Sequence, residues 1–310
     1  MPQSPSKQTL NAPQTDRVEW PTLVLFSLCF SLLGLAVWWL PTVSLWLASP
    51  VLIFALVLHA SLTHEVCHGH PMPSRKLAEL LVHLNPGLAV PYLRFRDTHL
   101  AHHKDSILTD PYDDPESNYL DPVVWANMPR WAQMLRRANN TLAGRMTLGP
   151  ALGQLAFMAD DWKLIRAGSG GVLRAWLAHL PMFALTVWAV VLSPMPLWLY
   201  FLSCYAALGI LRIRTFLEHQ AHEKARGRTV IIEDRGLLAF LFLNNNLHVV
   251  HHMHPRVPWY RLPALYAKNK ARYLASNEGY VYRSYGEIFR QYLWRAKDPV
   301  PHPLWSSNDK

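Results

Sequence analysis

Residues 20–63, WPTLVLFSLCFSLLGLAVWWLPTVSLWLASPVLIFALVLHASLT, form a run of 44 residues without Asp, Glu, Lys or Arg. A second run of 37 residues, 175–211, is equally free of these charges. Because one bilayer-spanning helix needs about 20 apolar residues, each run is long enough for two. Proline interrupts each run near its middle, at Pro41 and Pro194. We therefore predict an all-α polytopic membrane protein with four spans in two hairpins, near residues 20–40, 43–63, 174–193 and 197–213.

The charge distribution predicts the orientation of these spans. All 30 Lys and Arg residues lie outside the two charge-free runs. Since basic residues stay on the cytoplasmic side of a membrane, both termini and the segment after each hairpin are predicted to be cytoplasmic. The formal net charge of +9 is then mainly a topology signal. Nucleic-acid binding is not expected, because no basic run is interleaved with aromatic residues in a recognisable module.

Histidines are concentrated in the two segments that follow the hairpins. The stretches are HEVCH at 64–68, HLAHH at 99–103 and HVVHH at 248–252. Spacings of three and four residues put imidazoles on one helical face, and imidazole binds iron, zinc and copper well. Eight imidazoles suit two metal ions with open positions. The predicted ligands are His64, His68, His99, His102, His103, His248, His251 and His252.

A ninth ligand is expected from the stretch EHQAH at 218–222. His219 is favoured over His222 because it follows the fourth span more closely, but the pattern leaves both open. The stretch at 64–68 also matches HExxH, the signature of zinc proteases in which the glutamate, here Glu65, is the general base. That alternative leaves both HxxHH stretches unexplained, and a catalytic zinc needs three protein ligands. A membrane metal-binding protein without catalysis is a further alternative.

These three boxes and their hairpins resemble the membrane fatty acid desaturase and hydroxylase superfamily, a family with a non-haem di-iron centre. Flanking stretches are similar to a bacterial subgroup that contains the rhizobitoxine-pathway desaturase and a rhizopine-catabolism oxygenase. They are FRDTHLAHH at 95–103, LTDPYDDPES at 108–117, RTFLEHQAH at 214–222 and NNNLHVVHH at 244–252. The resemblance implies a cytoplasmic helical cap that carries two iron ions, in a multi-pass protein of the bacterial inner membrane.

The resemblance also implies the reaction: O2-dependent oxidation of an unactivated C–H bond, with O2 as co-substrate. A desaturase of a fatty acyl or lipid-linked chain is the leading expectation. A hydroxylase, or a desaturase of a small amino-acid-like metabolite, remains open. The expected partners are the lipid bilayer, an acyl or small-molecule substrate, and a separate ferredoxin-, rubredoxin- or cytochrome-type electron donor with its reductase.

Closeness in sequence also indicates which side chains could hydrogen-bond to the ligating histidines from outside the metal site, and we call these groups outer partners. A ligating histidine usually donates its second N–H to a carboxylate or carbonyl. The candidates are Glu65, Asp97, Glu218, Asn244 and Asn245. The acidic loop 110–116 fits this role and that of solvated surface charge equally well. The predicted division is a flexible cytoplasmic tail at 1–18, a desaturase-like domain at 19–272 and a cytoplasmic extension at 273–310.

Overall fold

The computed structural model describes residues 17–305, so the predicted tail lies almost wholly outside the described residues. The described chain is mostly helical, as predicted. Its helices are α1 (Trp20–Gly34), α2 (Leu40–Val43), α3 (Leu45–Cys67), α4 (Arg75–His83), α5 (Tyr92–His102), α6 (Pro122–Ala126), α7 (Arg130–Asn139), α8 (Leu142–Thr147), α9 (Gly149–Arg166), α10 (Gly170–Val191), α11 (Leu197–Thr215), α12 (Leu237–Leu241), α13 (His248–Met253), α14 (Leu262–Ser276) and α15 (Tyr285–Tyr292). Two short strands, β1 (Ile231–Ile232) and β2 (Val281–Tyr282), pair in parallel.

Four helical segments are long and apolar enough to cross a membrane, and this confirms the predicted number. They are Trp20–Val43, Leu45–Cys67, Gly170–Val191 and Leu197–Thr215, with 24, 23, 22 and 19 residues. At a rise of about 1.5 Å per residue, the shortest is about 28 Å long, close to the roughly 30 Å of a bilayer's hydrocarbon core.

The first hairpin turns later than the proline predicted. A π-helical turn, Leu35–Trp39, links α1 to α2, and helical structure continues to Val43 before Ser44 adopts an extended backbone (φ −163°). Pro41 lies in the first turn of α2, where its missing N–H removes only a bond that the irregular π turn already disrupts.

Helix α3 lies at the centre of the bundle and packs against α1 and α11. Half of its most apolar 18-residue window is buried, compared with 22% in α10. Helix α11 packs closely against α8 as well as against α3. A Cβ built on Gly209 of α11 would lie 2.5 Å from the carbonyl oxygen of Met146. Glycine at this position therefore permits backbone contact between the two helices.

We expect Gly209→Ala to destabilise the protein, because its methyl group would force α8 away from α11. Inserting a methyl group into a tight contact costs about 1–3 kcal/mol, which should lower the midpoint of thermal unfolding measured in detergent. Gly34→Ala is the matched control, since a Cβ there meets nothing within 4 Å. In that exposed helical position alanine should be neutral or stabilising. Equal midpoints for Gly209→Ala and the unmodified protein would contradict the close-contact argument.

Part of the chain after the fourth span has a small core of its own. Its buried apolar residues come from β1, α13 and α14 and the turn before α13: Ile231, Leu247, Val249, Val250, Leu262, Tyr266 and Tyr273. The predicted extension, 273–310, contributes β2 to the sheet. Further along, Pro301 bridges to Leu120. This part of the chain is therefore packed against the rest.

Candidate metal centre

The last turn of α3 carries the first two histidines of the site. His64 lies in that turn, and His68 ends the helix. Four residues apart, they share one helical face, and their ring centroids are 4.9 Å apart. His64 is only 2% exposed, so the apolar span leads directly into a buried polar centre.

Helix α5 brings the second group of imidazoles against the first. His99 and His102 lie in its last turn, and His103 follows immediately. His99 Nε2 lies 3.0 Å from His68 Nε2 and 3.0 Å from His103 Nε2. The ring of His99 stacks on Phe95 one turn earlier, with centroids 5.6 Å apart. Packing on α5 therefore fixes the ring plane of this histidine.

The turn before α13 positions the third group, and asparagines hold the turn. Asn244 has a positive φ of 57°, a conformation that asparagine tolerates better than most residues. Its amide donates to Trp259 O at 3.1 Å, and the amide of Asn246 donates to Ile232 O at 2.6 Å. These bonds tie the start of α13 to two neighbouring segments, so its histidines enter the site from a fixed turn.

His219 reaches the same site from the segment that follows α11. It bridges to Thr229, whose hydroxyl lies 3.3 Å from His219 Nδ1. His219 Nε2 lies 2.9 Å from His102 Nε2 and 3.2 Å from His248 Nε2. His222 points elsewhere, with Nε2 3.4 Å from Glu278 Oε2. Of the two candidates for a ninth ligand, the structure brings His219 to the site.

The nine histidines form two groups, in each of which the possible ligand atoms lie within 4.8 Å of one another. Cluster 1 contains His64, His68, His99, His103 and His251. Cluster 2 contains His102, His219, His248 and His252. Each HxxHH stretch contributes to both clusters. Its last two histidines are adjacent in sequence, and their rings point to different clusters. The clusters are therefore neighbours.

The spacing of the nitrogens fits metal ligation. Five Nε2–Nε2 distances lie between 2.9 and 3.2 Å. Two imidazole nitrogens bound at right angles to one ion, each at about 2.1 Å, would be about 3.0 Å apart. Hydrogen bonds alone do not explain these contacts. His103 Nε2 faces both His99 and His251, but a ring nitrogen of neutral imidazole carries either one proton or one lone pair and so can make only one good hydrogen bond.

Carboxylates hold two of the rings in a single tautomer. Asp114 Oδ1 lies 2.7 Å from His102 Nδ1, and Glu116 Oε1 lies 3.0 Å from His99 Nδ1. An ionised carboxylate only accepts hydrogen bonds, so each Nδ1 donates its proton outward. Each Nε2 then presents a lone pair to its cluster, as a metal ligand must.

An amide relay performs the same task for His248. The side-chain amide of Asn245 donates to Glu218 Oε1 at 3.0 Å, and its oxygen lies 3.1 Å from His248 Nδ1. Because the nitrogen end of the amide is engaged by the carboxylate, the oxygen end faces the ring and accepts its N–H. Arg214 lies 3.3 Å from the same oxygen of Glu218 and anchors the relay.

The other predicted outer partners lie in different surroundings. Glu65 is buried; its Oε2 accepts from the backbone N–H of Trp259 at 3.1 Å, and its Oε1 lies 3.8 Å from His64 Nδ1. Asp97 lies at the surface and pairs with Arg96 at 2.8 Å. Glu65 therefore borders cluster 1, whereas the Asp97 carboxylate is directed away from it.

The sequence left Asp114 and Glu116 within the acidic loop 110–116, which suited ligand support and solvated charge equally well. The structure places Asp114 5% exposed and holds it by backbone N–H groups of Thr109 and Glu116, both at 2.9 Å. The spacing in the sequence could have indicated this role for the loop. An acidic turn that contains two prolines begins seven residues after the second histidine box. Such a turn is long enough to fold back over α5.

Electrostatics favour the neutral ring, the state that metal binding requires, at most of the clustered histidines outside the spans. Burial and neighbouring imidazoles lower the pKa of His103, His219, His248 and His251. Burial alone would raise the pKa of Glu116, but His102 and His99 hold it well below its usual range. His102 differs: burial opposes its protonation, yet Glu116 and Asp114 outweigh burial and raise its pKa to about 9.

Residues 296–305, the C-terminal strap, pack beside the backbone of His219 of cluster 2. Lys297 is mostly buried and its ammonium donates to the backbone oxygen of His219. The next residue, Asp298, accepts a hydrogen bond from Tyr119, and the Tyr119 hydroxyl in turn accepts from the backbone N–H of Ala221 at 2.9 Å. The strap therefore braces the backbone at His219 directly and, through Tyr119, at Ala221 two residues later.

Comparison with known proteins gives two findings. A family model described as fatty acid desaturase matches residues 36–284, a range that contains all nine clustered histidines. The β-carotene ketolase of Paracoccus sp. (strain N81106 / MBIC 01143) is 26% identical over 228 residues, which are 72% of this chain and 76% of the ketolase.

Proposed function

The chain belongs to the fatty acid desaturase family, and from this we propose that it is an O2-dependent oxidoreductase with two iron ions held by clusters 1 and 2. The proposed reaction introduces a double bond into a fatty acyl or lipid-linked chain in the membrane. One observation carries the proposal: nine buried or half-buried imidazoles meet in two adjacent groups with ligand-like spacing.

The proposed roles of the residues follow from their contacts. The nine clustered histidines would hold the ions, which when bound supply the oxidising chemistry that an unactivated C–H bond requires. Asp114 and Glu116 keep Nδ1 of His102 and His99 protonated and the rings oriented. The Glu218–Asn245 relay does the same for His248. Burial of these groups excludes water from the reacting centre.

Oxygen insertion is the second candidate, and the relative supports it. The Paracoccus protein is a β-carotene ketolase by name, so a related chain adds oxygen to its substrate. A hydroxylase, or a desaturase of a small amino-acid-like metabolite, would use the same histidines. The product distinguishes these cases, because desaturation removes two hydrogens whereas insertion adds oxygen.

The zinc-protease alternative lacks support from the contacts of Glu65. Its carboxylate accepts a hydrogen bond from Trp259 N–H, whereas a general base must be available to a metal-bound water. The neighbouring His64 and His68 lie in a group of five imidazoles, more than the three ligands of a catalytic zinc.

We also propose the surroundings of the enzyme. The positive-inside pattern supports cytoplasmic termini and a cytoplasmic metal centre. Electrons would come from a separate donor of the ferredoxin, rubredoxin or cytochrome type with its reductase. The lipid bilayer is both the environment and the expected source of an acyl substrate.

Metal and product analysis test the proposed function together. We expect about two iron ions per chain in protein purified without chelator, because both clusters are rich in imidazole. Lipid and metabolite profiles of cells with and without the protein should differ by a two-hydrogen loss. A one-oxygen gain would favour the second candidate. One zinc per chain, with proteolysis abolished by Glu65→Gln, would overturn the proposal.

A further inference from the structure

Thr109, in the loop that carries Asp114, has a backbone conformation that threonine rarely adopts. Its φ is 71°, in the left-handed region, where a β-branched residue is an outlier. The residue is only 2% exposed, so contacts within the protein, and not water, must hold this conformation. Backbone strain of this kind persists only where the surrounding structure over-determines it.

All three polar groups of Thr109 make contacts. Its N–H donates to Asp114 Oδ2 at 2.9 Å, and its carbonyl oxygen accepts from Ser117 Oγ at 3.1 Å. Its hydroxyl oxygen lies 3.2 Å from His302 Nε2. The first two contacts are local to the loop, whereas His302 is 193 residues away in sequence, in the C-terminal strap. The hydroxyl of Thr109 therefore joins the loop to the strap.

The hydrogen bonds of His302 determine which of its ring nitrogens carries the proton. Nδ1 accepts from the backbone N–H of Leu304 at 3.2 Å, so in the neutral ring the proton is on Nε2. Burial lowers the pKa of His302, which favours the neutral ring. Nε2 therefore donates to the hydroxyl oxygen of Thr109.

Backbone contacts hold the strap beside the loop independently of this bond. The backbone N–H of His302 donates to Leu120 O at 2.8 Å, and Val300 O accepts from the backbone N–H of Leu120 at 3.0 Å. The His302 ring also meets the Tyr119 ring edge-on, with centroids 5.0 Å apart. Because the backbone bonds do not use the imidazole, we expect the strap to stay in place when the His302 side chain is replaced.

The choice of threonine at position 109 points to its hydroxyl. Glycine would adopt the same φ without strain, and what threonine adds is a methyl group and the hydroxyl that contacts the strap. At the other end of the loop, Asp114 Oδ1 lies 2.7 Å from Nδ1 of His102, a histidine of cluster 2. Contacts thus run without a break from the strap through Thr109 and Asp114 to His102.

We propose that His302 is a positioning residue for cluster 2, which holds the strained backbone of Thr109 and so keeps the Asp114 carboxylate against His102. This deepens the proposed function and rests on it in taking cluster 2 as a metal site. The strap then supports two histidines of the same cluster, His219 at its backbone and His102 at its ring.

Hydrogen exchange of the full-length apoprotein in detergent, followed by mass spectrometry, tests the proposal without metal or turnover. In His302→Ala the backbone of Thr109 is free to relax, and its N–H leaves Asp114. Peptides that cover 108–117 should then exchange about 2–10-fold faster, the change that the net free energy of one hydrogen bond corresponds to. Peptides of the strap should keep their exchange rates, because its backbone bonds remain.

Further variants separate this bond from a general loss of structure. His302→Gln places an amide NH2 near the position of Nε2 and should keep exchange slow. In the double variant with His302→Ala and Thr109→Gly, glycine adopts the positive φ without strain, so slow exchange at 108–117 should return. Trp305→Phe is the matched control. It removes another bond of the strap, from Nε1 of Trp305 to Asp121, and should leave exchange at 108–117 unchanged.

Iron titration of the same apoproteins extends the test to the metal centre. His302→Ala should bind iron about 2–10-fold more weakly, and the added Thr109→Gly should restore the affinity. Unchanged exchange at 108–117 in His302→Ala would overturn the proposal, and so would weaker iron binding that Thr109→Gly does not restore. Failure of the unmodified protein to bind iron would instead count against the proposed function, since the exchange measurement contains no metal.

Discussion

His219→Ala should abolish oxidation and remove the metal ion of cluster 2 while cluster 1 keeps its own. The reason is geometric: His219 Nε2 contacts Nε2 of both His102 and His248, so its loss leaves a gap in the middle of the group. Removing an outer partner of a ligand already costs 10–100-fold, so loss of a ligand should cost more than about 100-fold in activity. Iron per chain should fall from about two to about one.

His222→Ala is the control for this experiment. It removes an imidazole three residues away in the same loop, but that ring lies near Glu278 and outside both clusters. Activity and iron content should stay near those of the unmodified protein. Loss of iron in His222→Ala with retention in His219→Ala would contradict the assignment of cluster 2.

Asp114→Asn should have the next largest effect. The carboxylate accepts from His102 Nδ1 and from two backbone N–H groups, and an amide of the same shape can accept through only one of its two atoms. If the amide oxygen keeps the place of Oδ1, its NH2 opposes the N–H of Thr109 and the loop that positions residue 114 is loosened. If the amide turns round, its NH2 faces His102, the ring takes the opposite tautomer and Nε2 no longer presents a lone pair. We expect a 10–100-fold loss of iron affinity or activity, measured by titration of the apoprotein and by turnover.

Asp97→Asn is the matched control for this change. Asp97 also lies close in sequence to the second box, but its carboxylate pairs with Arg96 at the surface. Its replacement should leave iron affinity within about twofold, as expected for an exposed ion pair of small energetic value. If both variants lost iron affinity equally, the carboxylates would act through the general charge of the protein and not through His102.

The spans could be predicted because a bilayer imposes a length and an apolar composition that show directly in the chain. The helical spacing of the histidine boxes likewise follows from local geometry. The prediction that Asp97 supports a histidine ligand did not take helical spacing into account. Two residues before His99, it lies about 200° away around α5, so a shared helix separates the two side chains. In the structure Asp97 lies at the surface, as this angle implies.

Features that depend on convergence in space were beyond sequence reasoning. Division of the boxes between two clusters requires α3, α5, α13 and the His219 segment to meet. Asp114 and Glu116 reach His102 and His99 because their loop folds back over α5. The acidic sequence of the loop alone fits a solvent-exposed loop equally well. Short helices such as α7 and α8 are marginal without packing partners, and here α8 packs against α11 and α7 packs against α8.

The C-terminal strap has a consequence for biosynthesis. The first clustered histidine in the chain is His64. The backbone oxygen of His219, in contrast, is held by Lys297, and Pro301 bridges to Leu120. A ribosome delivers these parts in order, so the spans enter the membrane well before the strap emerges from the exit tunnel. All four histidines of cluster 2 precede the strap, so the bracing of His219 is the last part of the site to form. Early release of the chain would leave an inserted protein with all nine clustered histidines but without this brace.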